Sequence, residues 1–185
     1  MTRKDIPNII SVIRILLVIP TVWLIYAGDY FYALIVFLIA GISDGIDGYL
    51  AKRFQWQSRL GSILDPIADK LLLVSTYFAM AWVELIPMWL LVAVLLRDIV
   101  IIVGSFAYHI LIGQFEMAPS LISKFNTVMQ ILLIGAVLSV QITEIPMWAI
   151  NVFVYITLVT IMLSGLDYVI VWSRKALSSQ QIKIK

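Results

Sequence analysis

Four aspartates share one short stretch of an otherwise apolar chain, residues 43–70. Asp44 and Asp47 are three residues apart and Asp65 and Asp69 are four apart, so each pair on a helix would share one face, one turn apart. Four carboxylates brought together repel one another unless cations compensate them. Hard oxygen ligands favour Mg²⁺ or Mn²⁺, with Ca²⁺ as an alternative, and two such ions suit in-line displacement at phosphorus.

The composition indicates that these carboxylates lie in a membrane protein. The chain has 185 residues, of which 62% are hydrophobic and 13% are charged, and its mean hydropathy is +1.02. It has no cysteine and one histidine, His109, which excludes thiolate and His-based metal sites. The net charge of +2 is too small to indicate a nucleic-acid partner. Because unpaired charge is costly in a bilayer, an ionisable residue there indicates a functional site.

Six apolar segments are long enough to cross the bilayer. Acidic connections alternate with basic ones, and both termini are basic, so the positive-inside rule places both termini in the cytoplasm. We therefore predict an all-α integral membrane protein with a single domain over residues 1–175 and a frayed polar tail over 176–185. The six predicted spans are, approximately, 8–27, 31–52, 61–83, 87–110, 121–141 and 146–172.

The second and third predicted spans must bring the two aspartate pairs together. Only about eight residues join them, so we expect antiparallel neighbours with both pairs near the same cytoplasmic end. A chance cluster of solvated acids is the alternative, and it suits a single aspartate better than two same-face pairs. A small ion or proton transporter would instead spread its ionisable groups through the membrane.

The same stretch resembles the signature of the CDP-alcohol phosphatidyltransferases, D-x2-D-G-x2-A-R-x8-G-x3-D-x3-D. Every spacing matches, and the matching residues are Asp44, Asp47, Gly48, Ala51, Lys52, Gly61, Asp65 and Asp69. The departure is Lys52, where the family has arginine, with Arg53 next to it. Lysine keeps the charge but not the bidentate contact to phosphate, so either Lys52 or Arg53 could contact the donor phosphates.

The resemblance implies a six-helix fold with a cytoplasm-facing polar cavity that holds two metal ions and the CDP group of CDP-diacylglycerol. It also implies a homodimer, which is typical of the family. Asp44, Asp47 and Asp65 would be metal ligands, and Asp69 would be both metal-associated and the general base. The residues implied for the CDP group are Asp44, Asp47, Gly48, Ala51, Lys52, Arg53, Gly61 and Asp65.

A second set of polar residues on apolar helices is predicted to bind the alcohol acceptor: Asn8, Arg14, Arg97, Asp98, Lys124 and Asn126. Arg97 and Lys124 could clamp a phosphate of the acceptor. Alternatively, Arg97 and Asp98 form a local ion pair and Lys124 extends to the headgroups. The two asparagines could equally be helix caps or interhelical hydrogen bonds.

Four further patterns resemble the cardiolipin synthase branch of the family, found in mitochondria and some bacteria: IPN-x2-S-x2-RI, LGS-x-LDP-x-ADK, LIP followed by RD, and P-x2-ISK-x-NT-x2-Q. Phosphatidylglycerophosphate synthases share the first two patterns but carry RE and GK-x-KT in place of the others. Asp98 and Asn126 therefore favour phosphatidylglycerol over glycerol 3-phosphate as the acceptor. This branch implies a bacterial or mitochondrial inner membrane.

Overall fold

The computed structural model describes residues 6–54, 56, 61–112, 120–143 and 146–183. Over these ranges the chain forms six α-helices and no strand, which confirms the predicted all-α class. The predicted boundaries of the first five helices agree with the structure to within two residues. The helices are α1 (Ile6–Ala27), α2 (Tyr30–Arg53), α3 (Gly61–Trp82), α4 (Met88–Ile112), α5 (Leu121–Val140) and α6 (Met147–Lys183).

The last helix is longer than predicted. We expected a frayed tail from residue 176, but α6 continues as helix to Lys183. Residues 173–183 contain no proline or glycine and include alanine, leucine, lysine and glutamine, which are good helix formers. Extending an existing helix adds hydrogen bonds without a new nucleation step, so the polar character of this segment does not end α6.

Many apolar side chains of the helices face outward while several polar ones are buried, as is typical of a protein in a bilayer. On α1, Ile19 and Trp23 are 69% and 64% exposed, whereas Ser11, Arg14 and Thr21 are fully buried. Among the residues that the structure describes, four helical segments are long and apolar enough to cross a membrane: Asn8–Ala27, Tyr30–Tyr49, Leu121–Val140 and Trp148–Val171. The other two are α3, which carries three charged residues in its first half, and α4, whose side chains are described as far as Gly104.

The chain divides into two compact units. The first comprises Met1–Pro87 with Ile134–Pro146, and the second comprises Met88–Leu133 with Met147–Lys185. Within the first unit, α1 packs along both α2 and α3, while α2 and α3 have little contact with each other. α2 and α3 are neighbours as expected, but their contact is confined to a few residues, and α1 packs more extensively against both of them. Within the second unit, α4 packs against α6.

The turn after α1 sets the alignment of α1 and α2. Gly28 has a φ of 78°, a left-handed conformation that glycine adopts without a Cβ penalty. Its N–H donates to the carbonyl of Ile25 at 3.2 Å, and the N–H of Asp29 donates to the carbonyl of Leu24 at 3.0 Å. This is the Schellman arrangement that ends a helix. The chain reverses here, which brings the first half of α1 alongside the aspartates of α2.

Candidate active site

The guanidinium of Arg14 lies among three of the four signature aspartates. Its Nη1 is 2.7 Å from Oδ1 of Asp44 and 2.5 Å from Oδ1 of Asp69, and its Nη2 is 2.6 Å from Oδ2 of Asp47. The side chains of Arg14 and Asp47 are 0% and 1% exposed, whereas those of Asp44 and Asp69 are 43% and 41% exposed. The carboxylates of α2 and α3 thus meet at one buried cation, in a site that is open beside Asp44 and Asp69.

The fourth aspartate contacts the same part of α1. The hydroxyl of Ser11 donates a hydrogen bond to Oδ1 of Asp65. Ser11 precedes Arg14 by three residues, so both side chains lie on one face of α1. The two predicted pairs therefore come together on about one turn of α1.

The oxygen donors of this cluster are of the chemical type that binds a divalent ion. Four carboxylates against one guanidinium leave three negative charges that Arg14 does not compensate. All of the available ligands are hard oxygens, as Mg²⁺ and Mn²⁺ prefer. Within the described ranges no three Asp, Glu, His or Cys side chains are grouped closely enough to hold one ion. The contacts of Arg14 with three of the four aspartates take up carboxylate oxygens that would otherwise be free to bind metal.

The small and basic residues of the signature lie in the last turns of α2 and at the start of α3. A Cβ built on Gly48 would meet nothing within 4 Å, so no neighbouring group packs against this glycine. Gly61 is buried at the start of α3, and Arg53 is exposed at the end of α2. Ala51 and Lys52 lie on α2, but their side chains are outside the described residues. Which of Lys52 and Arg53 contacts the donor therefore stays a prediction.

Arg97 makes all of its described contacts inside the second unit. Its Nη1 is 2.8 Å from Oδ1 of Asp98, and its Nη2 lies 2.5 Å from Oγ of Ser123 and 2.7 Å from Oγ of Ser164. Its Nε also donates to Ser164, at 3.1 Å. Arg97 and Asp98 are each 7% exposed. This is the geometry of the ion-pair alternative, extended by two serine hydroxyls on α5 and α6.

The remaining candidates for acceptor binding differ in burial. Asn126 is fully buried, and its Oδ1 accepts a hydrogen bond from Oγ1 of Thr160 at 3.0 Å, which joins α5 to α6 as an interhelical bond. Its Nδ2 has no hydrogen-bond partner among the described residues. Lys124 is exposed on α5, as the alternative of an extended side chain expects. Asn8 is half-buried on α1, three residues before Ser11.

Two of these contacts were not predicted from the sequence. Ser11 belongs to the pattern IPN-x2-S-x2-RI, and its spacing of three from Arg14 indicates that both side chains share one face of α1. Oγ of Ser164 accepts hydrogen bonds from Nε and Nη2 of Arg97, a contact that the sequence does not predict. A lone serine on an apolar membrane helix is common, so the sequence carries little signal for this contact.

The Arg97 contacts lead to a stability prediction. Arg97→Met leaves the buried Asp98 carboxylate without its guanidinium, and breaking such a pair costs about 3 kcal/mol. We expect a lower melting temperature in detergent, measured by thermal unfolding. The double variant Arg97→Met, Asp98→Leu should recover much of the loss because neither charge remains buried. A single variant as stable as the parent would show that this network is not structural.

Comparison with known proteins identifies the class of this fold and site. The family described as CDP-alcohol phosphatidyltransferase matches the chain over residues 4–172. The chain therefore belongs to the CDP-alcohol phosphatidyltransferase family, whose members are membrane-bound and use divalent metals.

The chain is similar both to proteins named cardiolipin synthase and to proteins named glycerol-3-phosphate 3-phosphatidyltransferase. The chain is 35% identical over 153 residues to the cardiolipin synthase (CMP-forming) of Rattus norvegicus, covering 74% of this chain and 51% of the relative. It is 38% identical over 112 residues to the Streptomyces coelicolor protein of that name, covering 56% and 52%. It is 28% identical over 171 residues to the CDP-diacylglycerol–glycerol-3-phosphate 3-phosphatidyltransferase of Aquifex aeolicus, covering 89% and 93%. The chain thus spans about half the length of these two cardiolipin synthases.

Proposed function

We propose that the chain transfers a phosphatidyl group from CDP-diacylglycerol to a hydroxyl of phosphatidylglycerol, giving cardiolipin and CMP. The observation that carries the reaction class is the gathering of the four signature aspartates on one turn of α1. The choice of acceptor is supported by relatives named cardiolipin synthase. The proposed setting is a bacterial or mitochondrial inner membrane, with the polar site facing the side of both termini.

Asp69 is the proposed general base. Its side chain is 41% exposed, so a substrate hydroxyl can approach it, whereas Asp47 is closed off at 1%. The acceptor oxygen forms a bond to the phosphorus that carries diacylglycerol, and its proton passes to the Asp69 carboxylate. The bond between this phosphorus and the bridging oxygen breaks, and the electron pair leaves with CMP. No covalent intermediate with the protein is required.

The other signature residues bind and orient the donor in this proposal. Asp44, Asp47, Asp65 and Asp69 would hold two Mg²⁺ or Mn²⁺ ions, which supply positive charge for the diphosphate and the leaving CMP when bound. Gly48, Ala51 and Gly61 are proposed to line the cytidine pocket, where small residues would allow close approach of the nucleotide. Lys52 or Arg53 would add a charged contact to the phosphates. A homodimer is proposed as the assembly.

Transfer to glycerol 3-phosphate is the second candidate. One observation favours it: the match to the Aquifex aeolicus relative covers 93% of that protein, whereas the cardiolipin synthases are covered over about half their length. Against it are Asp98 and Asn126, which depart from the pattern of phosphatidylglycerophosphate synthases. An acceptor phosphodiester carries one negative charge and needs fewer cations than a dianionic phosphate.

The acceptor is tested by product analysis. Purified protein in micelles is incubated with CDP-diacylglycerol, Mg²⁺ or Mn²⁺, and either phosphatidylglycerol or glycerol 3-phosphate. We expect CMP and cardiolipin, identified by mass spectrometry, with phosphatidylglycerol alone. Formation of phosphatidylglycerophosphate would show that the acceptor is glycerol 3-phosphate and not phosphatidylglycerol. Folded, metal-loaded protein that releases no CMP with either acceptor would refute both candidates.

A further inference from the structure

We infer that Arg14 is an internal cation that competes with divalent metal for the signature aspartates, so that metal binds only as the guanidinium gives up its contacts. The inference rests on the proposed function in taking these aspartates as metal ligands. The sequence alone suggested a different role for Arg14, in binding the acceptor.

The position of one nitrogen carries the inference. Nη1 of Arg14 contacts Oδ1 of Asp44, on α2, and Oδ1 of Asp69, on α3, at 2.7 and 2.5 Å. This nitrogen therefore lies between two oxygens that would be ligands of an ion shared by the two helices. A carboxylate oxygen that accepts a short charged hydrogen bond is not free to ligate metal with the same lone pair. The guanidinium and a divalent ion are therefore alternatives at these two oxygens.

The charges of the aspartates favour replacement of the Arg14 guanidinium by a divalent ion. Without metal, the four aspartates repel one another, and Arg14 offsets only one of their four charges. A divalent ion brings twice the charge of the guanidinium to the same oxygens. Since neighbouring carboxylates repel one another unless cations compensate them, Arg14 stabilises the cluster in the absence of metal, and bound metal would take over that role.

Two further observations support an exchange between the guanidinium and an ion: the exposure of two aspartates and the incomplete pairing of Arg14. Asp44 and Asp69 are 43% and 41% exposed, so an ion can reach the oxygens that Nη1 contacts. Nε of Arg14 is buried and has no hydrogen-bond partner among the described residues. Buried donors are normally paired, so Arg14 is held through its two terminal nitrogens and not by a third anchor.

The test is metal binding to Arg14→Gln, which needs no turnover. Mn²⁺ affinity is measured by electron paramagnetic resonance, and thermal unfolding is followed with and without Mn²⁺. We expect the metal-free variant to melt at a lower temperature than the parent and to bind Mn²⁺ at least about fivefold more tightly, the lower end of typical coupling between sites. Arg14→Lys keeps the charge with fewer donors, so its affinity should lie between the two.

Arg97→Gln is the matched control. Arg97 is also a buried arginine bonded to an aspartate, but it belongs to the second unit. This variant should melt at a lower temperature without any change in Mn²⁺ affinity. The control therefore separates a general loss of stability from the tighter Mn²⁺ binding that is expected of Arg14→Gln.

Mn²⁺ binding that is unchanged or weaker in Arg14→Gln would overturn the inference, because the guanidinium would then support the metal site. A variant that folds only with Mn²⁺ would support it, since metal would be supplying the missing cation. If Arg14→Gln does not fold at all, Arg14→Lys decides, and its affinity must exceed that of the parent. Absence of cardiolipin synthesis would refute the proposed function while leaving these binding measurements interpretable.

Discussion

Asp69→Asn is expected to reduce CMP release from CDP-diacylglycerol by about 10²- to 10⁴-fold, the usual contribution of a general base. Asparagine keeps the shape of the side chain but cannot accept the proton of the acceptor hydroxyl. Arg14 retains Asp44 and Asp47 as partners, so the fold should persist. The rate is measured by chromatography of CMP at saturating substrates, with thermal unfolding as the check on folding.

Asp29→Asn is the matched control for this substitution. Asp29 lies in the turn between α1 and α2, at the other end of α1 from Arg14, and it is exposed. The same chemical change there should leave the rate unaltered. Turnover of Asp69→Asn at the rate of the parent would remove Asp69 from the role of base.

Removal of divalent metal is expected to lower CMP release by more than about 10²-fold, as the loss of a main electrostatic stabiliser typically does. The metal-free site carries three negative charges that Arg14 does not offset, and these would repel the donor diphosphate. The measurement is CMP release after exhaustive chelation, followed by titration with Mg²⁺ or Mn²⁺.

Recovery on adding metal back is the control for damage by the chelator. The protein should also remain folded after chelation, because Arg14 bridges Asp44, Asp47 and Asp69 without metal. Full turnover in the chelated protein would contradict the proposed two-ion site. Unfolding on chelation would contradict the stabilising role given to Arg14.

The helices could be predicted from the sequence because the bilayer restricts the backbone of a membrane-spanning segment. Each span must be helical and about 20 residues long, since unpaired backbone groups are costly in lipid, and this fixes the ends of α1 to α5 to within two residues. This constraint applies only to backbone inside the membrane. Hydropathy carries no information about a helix outside the bilayer, so the sequence does not predict the extension of α6 to Lys183.

The spacing of the aspartates also determined which of them share a helix face, because the period of a helix is fixed. The spacing could not determine which helix packs against that face. Arg14 is 55 residues from Asp69, and no local pattern links them. The packing of α1 against both α2 and α3 brings Arg14 and Asp69 into contact. A buried guanidinium is stable only when it is paired with carboxylates, and the packing of the helices decides which carboxylates are near it.

The sequence by itself determined the four aspartates, their pairing on two helices and the family signature that they form. The tertiary structure decided that they meet on Arg14 and Ser11 of α1, and that Arg97 pairs with Asp98 and two serines in the second unit. The physical reason is the range of the interactions. Helical periodicity acts within a few residues, whereas the pairing of buried charges depends on contacts between helices that are distant along the chain.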